Sequence, residues 1–189
     1  MQRSLLFLFM LIVVALSGCV AGTAVVYEVA TISVDERKVG ILFSDQGIDV
    51  EIKNAYFKDD VTNLRHISPH CFNGCVYLVG EYETEVEKEK AIAIAKGVKG
   101  VKSVEPCLLL KANSSQCTRT HDLALAAKVK AKLINDKDAS AIKIHVKCVQ
   151  CRVILLGIVG SQKEIDQAIA IAKATEGVRE VVSYLQCSH

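Results

Sequence analysis

The chain has 189 residues, 51% of them hydrophobic and 23% charged, with a formal net charge of +2. That composition excludes a disordered chain, which lacks the apolar residues needed to build a core. The near balance of 23 Lys+Arg against 21 Asp+Glu argues against a nucleic-acid binder driven by bulk charge. The first element is the run LLFLFMLIVVAL at 5–16, which holds no polar residue. As a helix it would rise only about 18 Å, short of the roughly 30 Å hydrocarbon core of a bilayer. With Arg3 before it and small residues after it, the run reads as a secretory signal over residues 1–18 rather than as a span. No second long apolar run follows, which excludes a polytopic membrane protein.

Leu16-Ser17-Gly18-Cys19 resembles the lipobox of bacterial lipoproteins. That resemblance implies cleavage before Cys19, a diacylglycerol on its thiol and acylation of the new amine. Val20, where an Asp would retain the protein, implies sorting to the outer membrane. The expected location is therefore the outer membrane, lipid-anchored and periplasm-facing, with residues 19–45 as a lipidated N-terminal segment.

Further along, Ala91-Ile92-Ala93-Ile94-Ala95-Lys96 recurs as Ala168-Ile169-Ala170-Ile171-Ala172-Lys173, 77 positions later. The same offset aligns Cys71 with Cys148, Val76 with Val153, Gly80 with Gly157, Gly100 with Gly177 and Val104 with Val181. A gap-free offset of this length marks a tandem duplication. The first copy takes residues 46–110, a polar linker 111–120, and the second copy 121–189.

In the first copy the periodicity predicts a helix over about 46–57, strands over about 64–70 and 75–82, a helix over about 84–97 and a strand over about 101–110. Asn73-Gly74 is a hairpin signal between the first two strands. In the second copy Asp122 is expected to cap a helix running to Asn135, with Leu123, Ala126, Ala127, Lys130, Leu133 and Ile134 as its stripe. Ile142, Ile144 and Val146 alternate with Lys143, His145 and Lys147, as in a half-buried strand. Cys148-Val149-Gln150-Cys151 is a short turn, and Val153 to Val159 a strand with a continuous apolar run. Ser161 and Glu164 form a capping-box pattern for the next helix, and Val178 to Leu185 is the last strand. Each unit reads α-β-β-α-β, an α+β two-layer sandwich with two helices on a small three-stranded mixed sheet. Units this small have thin cores, so docking of the copies, or disulfides, is expected to add stability.

Val76-Tyr77-Leu78-Val79-Gly80, Ala91 to Lys96 and Gly100-Val101-Lys102-Ser103-Val104, with their counterparts 77 positions later, resemble the BON domain, named for bacterial osmotic and nodulation proteins. Asp35 to Gly40, ahead of the first unit, also resembles a segment of that family. Behind a lipobox, the pair is similar to the dual-BON-domain outer-membrane lipoproteins. The resemblance implies non-enzymatic phospholipid binding in support of outer-membrane integrity, with the lipid-contacting helix in the second copy. Where those proteins place a Trp near the start of that helix, this chain has Ala124.

The helix 121–135 carries Lys128, Lys130 and Lys132 among apolar residues, a pattern suited to an anionic phospholipid surface. Lys128 and Lys132 share a face, with Leu125 and Val129 beside them as the expected lipid-binding set. Each Lys near such a surface contributes at most about 1 kcal/mol. The first copy's helix sets Asp49 and Glu51 against Lys53, which weakens the attraction. Of eight cysteines, Cys19 is assigned to lipid. Cys71 and Cys75 flank one hairpin, and Cys148 and Cys151 the other, so disulfides are expected there in an oxidising compartment. Cys107, Cys117 and Cys187 cannot be paired from sequence. As an alternative, Cys148-x-x-Cys151 has zinc-like spacing, with His66, His70 and His145 in neighbouring strand segments. A redox role is disfavoured because the motif lies in a hairpin and not at a helix N-terminus. His121-Asp122 reads as helix cap beside a polar linker, and Asp59-Asp60 and Asp136 with Asp138 as turn formers. With no catalytic motif in view, neither an enzymatic activity nor a cofactor is expected. The other reading is a structural adaptor for envelope proteins.

Overall fold

The structure, a computed structural model, describes residues 36–59, 64–112, 117–137, 139 and 141–188. Over 36–44 the backbone alone is described. The signal sequence, Cys19 and the rest of the expected lipidated segment before residue 36 lie outside the described residues.

The first copy runs α1 (Glu36–Lys58), a 3-10 turn (Leu64–His66), β1 (Ser68–Phe72), β2 (Cys75–Tyr82), α2 (Glu85–Gly97) and β3 (Ser103–Leu110). The second runs α3 (Arg119–Asn135), a 3-10 turn (Ala141–Lys143), β4 (Ile144–Val149), β5 (Arg152–Val159), α4 (Gln162–Lys173) and β6 (Glu180–Cys187). Each sheet has its middle strand paired antiparallel to the strand before it and parallel to the one after. Gly80 pairs with Leu108 and Gly157 with Leu185, so the two sheets share one register at the 77-residue offset. The fold is the expected α+β pair of small mixed sheets.

The helix starts follow side-chain capping. Thr84 Oγ1 accepts the Glu87 amide at 3.2 Å, and Ser161 Oγ accepts the Glu164 amide at 3.3 Å. Both glutamates reach back, Glu87 to the Glu83 amide and Glu164 to the Gly160 amide, one residue ahead of the usual capping box. Gly80 and Gly157 are required by close approach. A Cβ on either would lie 2.4 Å from the His66 carbonyl oxygen or 2.1 Å from that of Lys143. The 3-10 turn thus crosses directly against the middle strand.

Three expectations shift. α1 begins at Glu36, ten residues before the expected start; no proline interrupts 36–58, and the helix continues through Gly40 and Gly47. α3 is capped by Thr118, whose Oγ1 accepts the His121 amide at 3.2 Å; Asp122 lies within the helix, buried. Its core stripe is Asp122, Leu125, Val129 and Leu133, while Leu123 (67% exposed) and Ile134 (62%) face out. Ile142 belongs to the 3-10 turn and is 95% exposed, so β4 starts at Ile144.

Three apolar layers result. Ile48, Ile52, Tyr56, Val76, Leu78, Ala91 and Ala95 fill the space between sheet and helices in the first copy. Val129, Leu133, Val153, Leu155, Ala168 and Ala172 do so in the second. The third layer joins the opposite sheet faces: Tyr77, Val79 and Cys107 meet Val149, Ile154 and Leu156. β2 and β5 are therefore covered on both faces, which is why their sequences read as continuous apolar runs. Burying each large aliphatic side chain contributes about 1.5–3 kcal/mol. Docking of the copies thus adds a third apolar layer to the core that each copy builds for itself.

Candidate functional site

Two features of the second copy combine exposure with chemistry: the outer face of α3 and the turn beneath its N-terminus.

On α3, the side opposite Leu125, Val129 and Leu133 is exposed and carries Leu123, Ala124, Ala127, Ala131 and Ile134. An apolar face turned to solvent on a surface helix is a candidate contact surface. Lys128 and Lys132 flank it, and each also holds the end of α4. Lys128 Nζ donates to the Glu176 carbonyl and carboxylate, both at 3.4 Å, and Lys132 Nζ to the Ala174 carbonyl at 3.4 Å. Both remain exposed enough to meet a second partner. Lys130 is withdrawn from the surface. Its ammonium bonds the Ala141 and Ile144 carbonyls, the latter at 2.6 Å, and burial lowers its pKa.

The expected lipid-binding set is therefore corrected. Leu125 (4% exposed) and Val129 (0%) belong to the core and cannot touch a membrane in this conformation. Their outward counterparts are Leu123 and Ile134. The helix is rich in alanine and leucine on every side, so a wheel drawn from sequence does not reveal which stripe is buried.

At the N-terminal end of α3, the buried Asp122 carboxylate clamps the β4–β5 turn. It accepts the Gln150 amide at 2.7 Å, the Cys151 amide at 2.8 Å and the Cys148 thiol at 3.3 Å. Asp45 in α1 does the same for the first copy, taking the Asn73 amide at 2.7 Å, the Gly74 amide at 2.9 Å and the Cys71 thiol at 3.1 Å. All four turn residues have positive φ, between 52° and 82°. Sequence reading missed this clamp by treating Asp122 as a cap. The signal was there, since the offset aligning Cys71 with Cys148 also aligns Asp45 with Asp122.

The cysteines are also rearranged. Cys151 is bonded to Cys117 in the linker, while Cys71, Cys75, Cys107, Cys148 and Cys187 are free thiols. Neither expected hairpin pair is bridged; Cys71 and Cys148 each point at their clamping carboxylate instead. Burial, together with the Asp122 bond, pushes the Cys148 thiol up to about 12. Burial and Asp45 raise that of Cys71 further. Both stay protonated, unlike a nucleophilic thiolate. The histidines do not join Cys148 and Cys151 as the zinc reading required. His145 packs edge-on to Phe72 at 5.6 Å across the seam, His66 and His70 lie in the first copy, and the imidazole beside Cys151 is that of His121, 3.5 Å away.

The carboxylates expected to form turns are tied into the structure. Asp136 accepts the Ala139 amide and Asp59 the Lys90 ammonium; Asp60 and Asp138 lie outside the described residues.

A tandem pair of α-β-β-α-β units, each with a glycine under its 3-10 turn, defines the class. The BON domain family model matches residues 44–110 and 121–187, and the chain belongs to that family. It is 33% identical over 172 residues to the outer membrane lipoprotein DolP of Haemophilus influenzae, covering 88% of this chain and 87% of that one. It is 32% identical over 152 residues to the osmotically-inducible protein Y of Escherichia coli, covering 79% and 76%. Among solved structures, the C-terminal domain of CdsD, a structural protein of the type III secretion system of Chlamydia trachomatis, aligns over 74% of this chain and 96% of that one, at 10% identity and a TM-score of 0.34. With these relatives, the chain is a BON-domain protein of the cell envelope.

Proposed function

We propose that this protein is a non-enzymatic outer-membrane lipoprotein, anchored through Cys19, whose second BON domain rests on anionic phospholipid and supports membrane integrity. The lipoprotein relative and the lipobox-like segment support the anchor and its location. The observation that carries the lipid contact is the exposed apolar face of α3, with Leu123 and Ile134 outermost and Lys128 and Lys132 at its border.

The magnitudes set the character of the contact. Two cations at about 1 kcal/mol each give at most about 2 kcal/mol, falling with salt. Inserting Leu123 and Ile134 adds about 1.5–3 kcal/mol apiece if both are fully buried. The apolar share is the larger, so salt weakens binding without abolishing it. The total is modest, and the acyl chains supply membrane residence.

Co-sedimentation of the soluble mature chain, with Cys19→Ser, on phosphatidylcholine vesicles with and without phosphatidylglycerol tests this reading. Leu123→Ser with Ile134→Ser should lower binding at least about a hundredfold on anionic vesicles. Lys128→Ala with Lys132→Ala should lower it several-fold on those vesicles alone. Binding unchanged in both double variants would assign the α3 face to a protein partner and favour the adaptor reading.

A further inference from the structure

We propose that reduction of the Cys117–Cys151 disulfide opens a tetrahedral site for a soft divalent cation such as zinc, with Cys117 Sγ, Cys151 Sγ, His121 Nδ1 and an Asp122 carboxylate oxygen as donors. This goes beyond the membrane role and concerns the turn beneath α3, not its outer face.

The donors already stand together. Ligand atoms of His121, Asp122 and Cys151 all lie within 4.8 Å of one another. His121 Nδ1 is 3.5 Å from Cys151 Sγ. Tetrahedral zinc, with bonds of about 2.3 Å to sulfur and about 2.0 Å to nitrogen, holds such a pair about 3.5 Å apart. Cys117 is bonded to Cys151, so opening that bond leaves two sulfurs side by side. His121 and Asp122 are adjacent on the first turn of α3, fixed by the Thr118 cap. Two turn amides and the Cys148 thiol orient the Asp122 carboxylate; Oδ1 accepts two of these donors and Oδ2 one, which leaves a lone pair on Oδ2 for a metal.

The duplication supplies an internal control. Asp45 performs the same clamp in the first copy, yet the positions matching Cys117, His121 and Cys151 are Gly40, Ser44 and Gly74. Holding the turn therefore requires none of these three donors. Cys151 also has φ 61° where the first copy uses glycine, a conformation disfavoured for a side-chain-bearing residue. Soft sulfur and imidazole donors select zinc over magnesium or calcium.

The chemistry balances. A dithiol gives two electrons and two protons to the disulfide, yielding the Cys117 and Cys151 thiols and a new disulfide on the reductant. The cation then forms two metal–sulfur bonds and releases the two thiol protons. In vitro a phosphine serves, with water supplying those protons and the oxygen of the phosphine oxide.

Zinc content and competitive titration of the mature chain test this before and after phosphine treatment, with cobalt as a spectroscopic probe. Oxidised protein should bind no stoichiometric zinc, and reduced protein one equivalent, with visible tetrahedral cobalt–thiolate absorption. Cys117→Ser should abolish this, and Cys71→Ser should leave it unchanged. His121→Ala replaces an exposed residue and preserves the disulfide; it should weaken zinc binding at least tenfold. Equal zinc in oxidised protein, none in reduced protein, or unaltered affinity in His121→Ala would overturn the proposal.

Discussion

Asp45 and Asp122, 77 positions apart, each accept two backbone amides and one thiol from the hairpin turn of their own copy. The clamp links the first helix of each unit to the tip of its hairpin. It also satisfies amides that the tight turn leaves pointing away from the strands. Removing it strands buried donors, at about 1–3 kcal/mol for each such group. Asp122→Ala should therefore lower unfolding free energy by about 2–4 kcal/mol, measured by urea denaturation under oxidising conditions. Asp45→Ala should cost a similar amount. A loss below about 0.5 kcal/mol at both positions would mean that water replaces the carboxylate.

Gly80 and Gly157 predict a sharp contrast with Gly47. A methyl group at either of the first two meets a backbone carbonyl oxygen, which cannot rotate aside. Gly80→Ala and Gly157→Ala should each cost more than about 3 kcal/mol or prevent folding, as overpacking of backbone against backbone does. Gly47, inside α1, has nothing within 4 Å of a built Cβ. Gly47→Ala should stabilise by about 0.5–1 kcal/mol. Thermal melts of the three variants decide the point.

How much was legible in the sequence follows from these same residues. The apolar run of β5, the Ser161 cap and the two strand glycines are local signals, and the structure uses each where it was read. The register of α3 was not legible. Thr118 and Asp122 are both good caps, and the choice depends on whether the Asp122 carboxylate is needed by a turn 28 residues away. The disulfide was illegible for a related reason. Cys148 and Cys151 are close in sequence, but bridging depends on Cα and Cβ geometry, and the fold brings the linker residue Cys117 to the hairpin instead.

His70 in β1 and Asp49 in α1 form an opposing pair of titrations. His70 has a buried Nε2 with no hydrogen-bond partner among the described residues, and Asp49 a buried Oδ1 in the same state. Burial, with Lys147, His145 and Lys53 adding to it, lowers His70 from 6.5 to about 3. Burial, aided by Asp45, raises Asp49 from 3.8 to about 6. For His70 the unfolded chain binds the proton first, so its contribution is complete above pH 6.5 and is lost as pH falls towards 3. For Asp49 the native state binds the proton first, so its contribution is complete below pH 3.8 and is lost as pH rises through about 6. Asp49→Asn should thus stabilise the protein at pH 7.5 relative to its effect at pH 4. His70→Gln should flatten the acid limb between pH 6.5 and 4. Urea midpoints across that range test both signs, and parallel pH profiles for variants and parent would contradict them.

The cysteine inventory is open to direct counting. Five described thiols are free and two are joined. Alkylation under denaturing conditions without reductant should add five labels besides any at Cys19, and seven after reduction. The peptide linking Cys117 to Cys151 should appear in a non-reducing digest. Recovery of Cys148 bonded to Cys151 would restore the hairpin pairing.

The sheet-to-sheet layer makes the strongest demand on how the two copies unfold. Ile154 and Leu156 are buried against Tyr77 and Val79 of the other copy, and Gln186 donates to the Tyr77 hydroxyl at 2.9 Å. Leu156→Ala removes side-chain volume from this seam and should cost about 2–5 kcal/mol. Two separately folding units would confine that loss to the second copy. With a shared layer, separation exposes apolar faces on both sheets, so both copies should lose stability together. Residue-resolved urea titration by NMR, following amides in β2 and β5, should show one coincident transition in the parent chain. In Leu156→Ala both sets should move to lower urea by about 1 M or more, given slopes of about 1–3 kcal/mol per molar. A shift confined to β5 amides would show that the seam contributes little and that each BON domain stands on its own core.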